Sequence, residues 1–235
     1  MVVFGIATFS MRGDLMHLEI LVEDRSGKTA LDILVPKIIG TDHTFRVIPY
    51  RGIGHIPPNL KPKSDPKKRI LLDQLPRLLQ GYGKTFADYP SNFRSMVVVV
   101  CDLDSKCLSE FRRQLLAVVN ACEPRPTTQL CIAIEEGEAW LLGDLDAVKS
   151  AFPNANDTAL NSYINDSICG TWEKMADALY PGGSLALSKK GWPAIGAEKS
   201  KWAQKIAPSM DIETNRSPSF RYFVAQLRRA LAYSS

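Results

Sequence analysis

The 235-residue chain has no apolar run approaching the roughly 20 residues that span a bilayer, so no transmembrane helix is expected. Its three histidines, His17, His43 and His55, form neither an H-x-x-x-H nor an H-E-x-x-H spacing, which argues against a helical zinc-hydrolase pattern. The five cysteines are odd in number and include no C-x-x-C pair, so neither a disulfide framework nor a zinc ribbon is indicated. Cys101, Cys122 and Cys131 lie in or beside apolar stretches and read as reduced core residues, which suits a reducing cytoplasm. There is no repeat and no low-complexity tract. A 45% hydrophobic and 23% charged composition is that of a globular chain able to bury one large core, so disorder over most of its length is not expected.

What is present begins at the N-terminus with MVVFGIATFSMRGDL, an apolar start with no basic residue before it, and so a poor secretory signal. Met16 opens MHLEILVE, a natural strand-first beginning. Residues 1–15 therefore read as an upstream start or a loose extension. The net charge of +4 is mild, but Lys and Arg gather in LKPKSDPKKR (60–69) and in KKGWPAIGAEKSKWAQK (189–205). Each is either a solvated loop or a phosphate-backbone surface. In the second, Trp192 and Trp202 alternate with Lys189, Lys190, Lys199, Lys201 and Lys205, a mixture suited to nucleic-acid contact.

Along the chain, HLEILVE (17–23) is a short apolar run ending in acids. SGKTALDILVPKII follows, with Ala30, Leu31, Leu34 and Ile38 on one helical face and Ser26 as the expected N-cap. FRVIPY (45–50) reads as a second strand. Residues 67–81 read as a helix kinked or restarted at Pro76, with Ile70, Leu71, Leu75, Leu78 and Leu79 at helical spacing. SMVVVVCDLD (95–104) is the clearest strand, β-branched without alternation, as for a central parallel strand buried on both faces. Residues 107–122 form an amphipathic helix, and 129–152 a fourth strand running into helical sequence. The alternation predicts a three-layer α/β sandwich with a mostly parallel, Rossmann-like sheet over 16–152. Beyond it, 153–235 reads as a helical C-terminal region packed on that domain.

Ligands of open α/β sheets gather at the carboxyl ends of the strands, and here those ends are acidic. Glu23 and Asp24 close the first strand, Asp102 and Asp104 the third, and Glu135, Glu136 and Glu138 the fourth. So many carboxylates together are costly unless solvated, protonated or bound to a cation. Mg²⁺ (or Mn²⁺) is the natural choice, because a hard ion takes one or two carboxylates and keeps positions for phosphate oxygens. Each acid taken singly could equally cap a helix or face solvent. A competing pattern overlaps the first strand: Val22 to Thr29 matches G-x-x-x-x-G-K-[ST] except at the first glycine, where Val22 stands. Valine tolerates the required turn poorly, so an NTP-binding protein with a degenerate P-loop is the weaker reading. Arg25 and Lys28, beside the acids, either stabilise charge developing on a phosphate or merely neutralise Glu23 and Asp24.

The strand-end Glu23, followed far along the chain by an apolar strand ending in Asp102-Leu103-Asp104, resembles the TOPRIM domain of topoisomerases, primases and overcoming-lysogenization-defect nucleases. More narrowly, LEILVED, VVVVCDLD, IAIEEGEAWLLGD and KWAQKIAPSMDIETNRSPSFRYFVAQLRRAL, in that order, are similar to the bacterial domain of unknown function 4276, from about Met16 to the C-terminus. The resemblance implies a TOPRIM-like fold, Glu23 as the acid/base carboxylate, and Asp102 and Asp104 as Mg²⁺ ligands. Asp24 stands where TOPRIM domains usually have glycine, and Gly27 where nuclease-type members often carry another acid. Glu135, Glu136 or Glu138 would then supply the missing ligand. The function implied is Mg²⁺-dependent cleavage of DNA or RNA in phage defence or DNA processing, with Lys28 assisting at the phosphate and Arg25, Lys189, Lys190, Lys199 and Lys201 on the nucleic-acid backbone. An ATPase partner is implied by the resemblance alone. A subunit active only with that partner is the alternative, and a homodimer is compatible with either.

Overall fold

The computed structural model describes residues 15–61 and 65–232; the expected extension at 1–15 lies outside them except for Leu15. Strand β1 (Leu15–Val22) is central. It pairs with β2 (Thr44–Pro49) on one side and β3 (Phe93–Asp102) on the other, and β4 (Thr128–Ala133) adds beyond β3. All pairings are parallel and the order is β2-β1-β3-β4. Side chains alternate between two apolar layers. Leu18, Ile20, Val22, Val98 and Val100 face one, whereas Leu21, Val97, Val99 and Cys101 face the other. Both faces are covered, which is why VVVVC shows no polar alternation.

Helix α1 (Arg25–Ile39) connects β1 to β2 across the first face; α2 (Leu71–Ala87) and α3 (Leu108–Asn120) make the next two crossovers on the opposite face. The three-layer sandwich follows from the one-sided apolar stripes of these helices. Two local expectations change. Asp24, not Ser26, caps α1: its carboxylate accepts the Gly27 N–H at 2.7 Å and the Ser26 hydroxyl at 2.6 Å, and Ser26 is itself buried. Helix α2 begins at Leu71, after a 3₁₀ turn at Pro66–Lys68, and runs unbroken through Pro76 to Ala87. Burial of Leu71, Leu72, Leu75 and Leu79 outweighs the hydrogen bond that Pro76 cannot donate. Tyr82 and Phe86 extend the same stripe past the expected end at residue 81.

After β4 come α4 (Glu138–Leu142), α5 (Leu145–Ala151), α6 (Asp157–Asn161), α7 (Thr171–Leu179), α8 (Gly183–Ser188), α9 (Trp192–Ile206) and α10 (Pro218–Ala232). No strand occurs beyond residue 153 among the described residues. These helices do not form a separate core. Trp202, Phe220 and Phe223 are fully buried in the layer that also holds α1 and alternate residues of β1 and β3. The Lys37 ammonium of α1 donates to the carbonyls of Ala207, Pro208 and Met210 at 3.1, 2.6 and 3.0 Å. It ties the 3₁₀ turn Ala207–Ser209 that follows α9, and Met210 after it, to α1.

Candidate functional site

Chain order and sheet order part company between β1 and β3. From β1 the chain crosses outward to β2, and from β3 it crosses the other way to β4. The crevice at the carboxyl ends of these two strands is the switch point where open parallel sheets take their ligands. Glu23 follows the last residue of β1 and Asp102 is the last of β3, and register makes them neighbours, since Val22 pairs with Val100. The Asp102 N–H donates to Glu23 Oε2 at 3.3 Å.

A cleft opens there, lined by Glu23, Asp24, Gly27, Asp102, Glu138 and Lys199 over an apolar floor that includes Leu34 and Trp140. Lys199 comes from the middle of α9. Its ammonium lies 2.9 Å from Glu138 Oε2 and 3.5 Å from Glu136 Oε2, and only 14% of its side chain is exposed. Glu138 is buried, and neither its Oε2 nor that of Glu136 has a hydrogen bond of good geometry.

Four carboxyls, Glu23, Asp102, Glu136 and Glu138, thus share one ammonium; full ionisation would leave three uncompensated negative charges (four minus one). Glu23, Asp102 and Glu136 are shifted toward the protonated form. Burial pushes Glu23 up to about 7; the Asp102 N–H works against this, and the charges of Asp104 and Asp24 add to it. Asp102 is raised well above its ordinary value by burial and then by Glu23. Burial also lifts Glu136 to about 8 despite Lys199. Burial alone would lower Lys199, but Glu138, Glu136 and Asp102 outweigh it and raise it well above the usual lysine value. The surrounding acids therefore favour the ammonium form of Lys199.

Several expected site residues stand elsewhere. Asp104 has a left-handed backbone (φ 51°) and its carboxylate is paired with Lys106, so the D-x-D sends only its first acid into the cleft. Glu135 builds structure. It accepts from the backbone N–H groups of Cys169, Gly170 and Thr171 and from the Thr171 hydroxyl, anchoring the start of α7. Burial would raise it, but the Thr171 hydroxyl and those N–H donors hold it below the ordinary carboxylate value. Lys28 points along α1 to Asp32 at 2.7 Å rather than to the acids, because the helix places residues four apart on one face.

The near-match to a P-loop forms no cradle. Asp24 takes the Gly27 N–H, and α1 begins at Arg25. Gly27 is needed for another reason: a Cβ there would lie 2.6 Å from Val22 Cγ2, so glycine lets the helix start close on the strand. Arg25 is exposed beside the cleft but does not line it.

In the C-terminal basic segment, Lys199 belongs to the acid cluster, Trp202 is a core residue, and Lys201 pairs with Glu198 at 3.2 Å. Lys189 is exposed, Lys190 lies over the Tyr180 ring at 5.3 Å, and Trp192 is 75% exposed. A sequence signal for Lys199 exists. Ile195, Trp202, Ala203 and Ile206 form the buried stripe of α9, and Lys199 falls within that spacing, a charge on an apolar face. Glu173, whose charge bears on Glu136 and whose Oε2 is buried without a hydrogen bond, carries no such signal.

The five cysteines are unpaired, with Cys101, Cys122 and Cys131 buried. Among the described residues no helix is long and apolar enough to cross a membrane, and no group of three or more His, Cys, Asp or Glu is arranged to hold a metal ion. No curated protein and no solved structure matches the chain. The model of the family described as Domain of unknown function (DUF4276) matches residues 22–228, and with nearly its whole length covered the chain belongs to that family.

Proposed function

We propose that the protein cleaves phosphodiester bonds of nucleic acid with the help of a divalent cation at the β1/β3 switch point, as the TOPRIM resemblance implies. The observation that carries this reading is the meeting of Glu23 and Asp102 in one cleft beside a buried lysine paired with Glu138. The donor set fits a hard cation. It is all oxygen, over-rich in carboxyls for the single ammonium it holds, and Mg²⁺ needs only one or two carboxylates because it keeps several waters. Asp102 is the principal ligand, with Glu138 and Glu136 as near neighbours. Bound there, the cation would polarise the phosphate and lower the pKa of water.

The chain's own groups do the rest. Glu23, pushed up to about 7, is near the operating pH at which a carboxyl both accepts and returns a proton. It takes the proton of the attacking water as the new O–P bond forms and the scissile P–O bond breaks, and the departing oxygen takes its proton from solvent water. Lys199, held by Glu138, offers a fixed positive charge to the phosphate. In this reading Asp104 joins the site only when released from Lys106. That ion pair favours a second reading, a subunit whose cleavage appears only when a partner ATPase is added.

Duplex DNA, single-stranded DNA and RNA incubated with the protein in Mg²⁺ or Mn²⁺ test the first reading. Glu23→Gln and Asp102→Asn should each lower cleavage about 100-fold or more, the range of a lost acid/base or charge-stabilising group, with melting temperature not reduced. Full cleavage by both variants would overturn it.

A further inference from the structure

We infer that the connection from β2 to α2, in its described parts 50–61 and 65–70, is the surface that holds the nucleic-acid backbone, with Arg51, Lys67, Lys68 and Arg69 as its phosphate contacts. The inference rests on the phosphodiester reading for its partner, but its observations are separate from the acid cluster.

The first is placement. The Tyr50 N–H donates to the Val22 carbonyl at 2.8 Å and the Gly52 N–H to the Glu23 carbonyl at 3.0 Å. The connection therefore leaves the sheet alongside the residue that faces Asp102, at the same strand-end surface.

The second is a defined shape. Arg51 N–H donates to Arg69 O at 2.8 Å, Leu71 N–H to Gly52 O at 3.1 Å, and Leu72 N–H to Ile53 O at 2.8 Å. These bonds bring the two ends of the segment side by side, so Arg51 and the run Lys67-Lys68-Arg69 form one patch although distant in sequence. Gly54 makes the closure possible: at φ 68° a Cβ would fall 2.1 Å from Ile70 Cγ2. The Arg69 guanidinium rests over the Tyr50 ring at 5.8 Å and donates to the Pro49 carbonyl at 2.8 Å.

The third is unspent charge. Arg51, Lys61, Lys67, Lys68 and Arg69 are exposed, and none forms an ion pair among the described residues. The nearby acids are committed to the backbone: Asp65 accepts the Lys67 N–H at 2.9 Å and Asp73 the His55 N–H at 2.9 Å. Lys28, Arg113, Lys149, Lys201 and Arg228 each have a carboxylate partner, whereas Arg77, Lys84, Lys189, Lys205 and Arg221 also lack one among the described residues; the β2–α2 patch differs in bringing three successive cations beside a fourth, Arg51. A cleft crowded with carboxyls repels a polyanion, so a substrate strand needs cations beside it to approach. The β2–α2 patch supplies them, whereas Lys199 and Lys201 of the C-terminal segment are already engaged.

Fluorescence anisotropy of the full chain in EDTA, with a labelled DNA duplex, its single strand and the matching RNA, separates binding from cleavage. Lys67→Ala/Lys68→Ala should weaken binding of at least one probe about tenfold or more and make the dependence of log affinity on log salt shallower by roughly two, one per lost phosphate contact. Lys84→Ala, an exposed lysine in the last turn of α2 and so at the far end of that helix from the patch, should change it less than about twofold. Lys67→Glu/Lys68→Glu should weaken it further, with an unchanged melting temperature confirming the fold. Binding that is indifferent to both double variants overturns the inference, as does equally tight, equally sensitive binding of polyglutamate, which would mark a general acidic-partner surface. Loss of cleavage in Glu23→Gln with intact binding leaves the inference standing. Binding that depends on Lys67 and Lys68, with no cleavage under any metal condition, overturns the phosphodiester reading alone.

Discussion

Replacing Lys199 with methionine tests the electrostatic core of the site, because it removes the one ammonium that, among the described residues, lies with Glu23, Asp102, Glu136 and Glu138, while keeping an apolar stem of similar length. Breaking one side of a buried ion pair costs about 3–5 kcal/mol when the partner stays charged. Here the carboxyls have an escape, since they bind protons. Glu136 is already pushed up to about 8, so near neutral pH it needs little further help, and the cost should fall at the lower end, about 3 kcal/mol at pH 8. At pH 5 Glu23 and Glu136, raised to about 7 and about 8, are protonated in the folded protein, and the cost should drop below about 1 kcal/mol, the worth of an ordinary hydrogen bond. For a chain of this size 3 kcal/mol corresponds to a fall in Tm of about 6–12 °C at pH 8 and only a few degrees at pH 5. Melting followed by circular dichroism in EDTA at both pH values reads the difference directly. An equal loss at pH 5 and pH 8 would mean that Lys199 is needed for packing rather than charge. No loss at pH 8 would refute the shared-ammonium account altogether.

Three further substitutions test neighbouring parts of the structure. Glu135 is held below its ordinary value, so its stabilisation is fully present above the unfolded value of 4.5 and is lost as pH falls through the depressed folded value. Glu135→Gln should therefore cost about 1–2 kcal/mol at pH 7, flatten the acid limb of the wild-type stability profile and converge with wild type below it, and an unchanged acid limb would refute the capping role. Gly27→Ala places a Cβ against Val22 and the Asp24 carboxylate, with contacts of 2.6 and 3.2 Å, and should destabilise by about 1–3 kcal/mol through overpacking at the start of α1. ATP titration of Lys28→Ala should match wild type, since Lys28 faces Asp32; loss of nucleotide binding would revive the phosphate-loop reading.

The sequence by itself determined the alternation of strands and helices, because apolar runs and helical stripes are written in the spacing of neighbouring residues. It also showed which acids terminate strands: Glu23 after LEILV and Asp102 after VVVVC stand where the apolar runs stop. It misread local roles where two neighbours compete for one task. Asp24 takes the cap expected of Ser26 because its longer carboxylate reaches the Gly27 N–H, and Asp104 turns to Lys106 because a left-handed residue redirects its side chain.

Only the tertiary structure decided which acids meet. Strand order β2-β1-β3-β4 is set by burial of both sheet faces and by the direction of the crossovers, and it makes β1 and β3 neighbours across an intervening strand of sequence. The same holds for Lys199. Its place on the apolar stripe of α9 marks it as unusual, but the acids that justify burying a charge there lie on the turn after β4 and on α4, far away in the chain. A charge can be buried only where opposite charges are brought to it, and that convergence is a property of the folded chain.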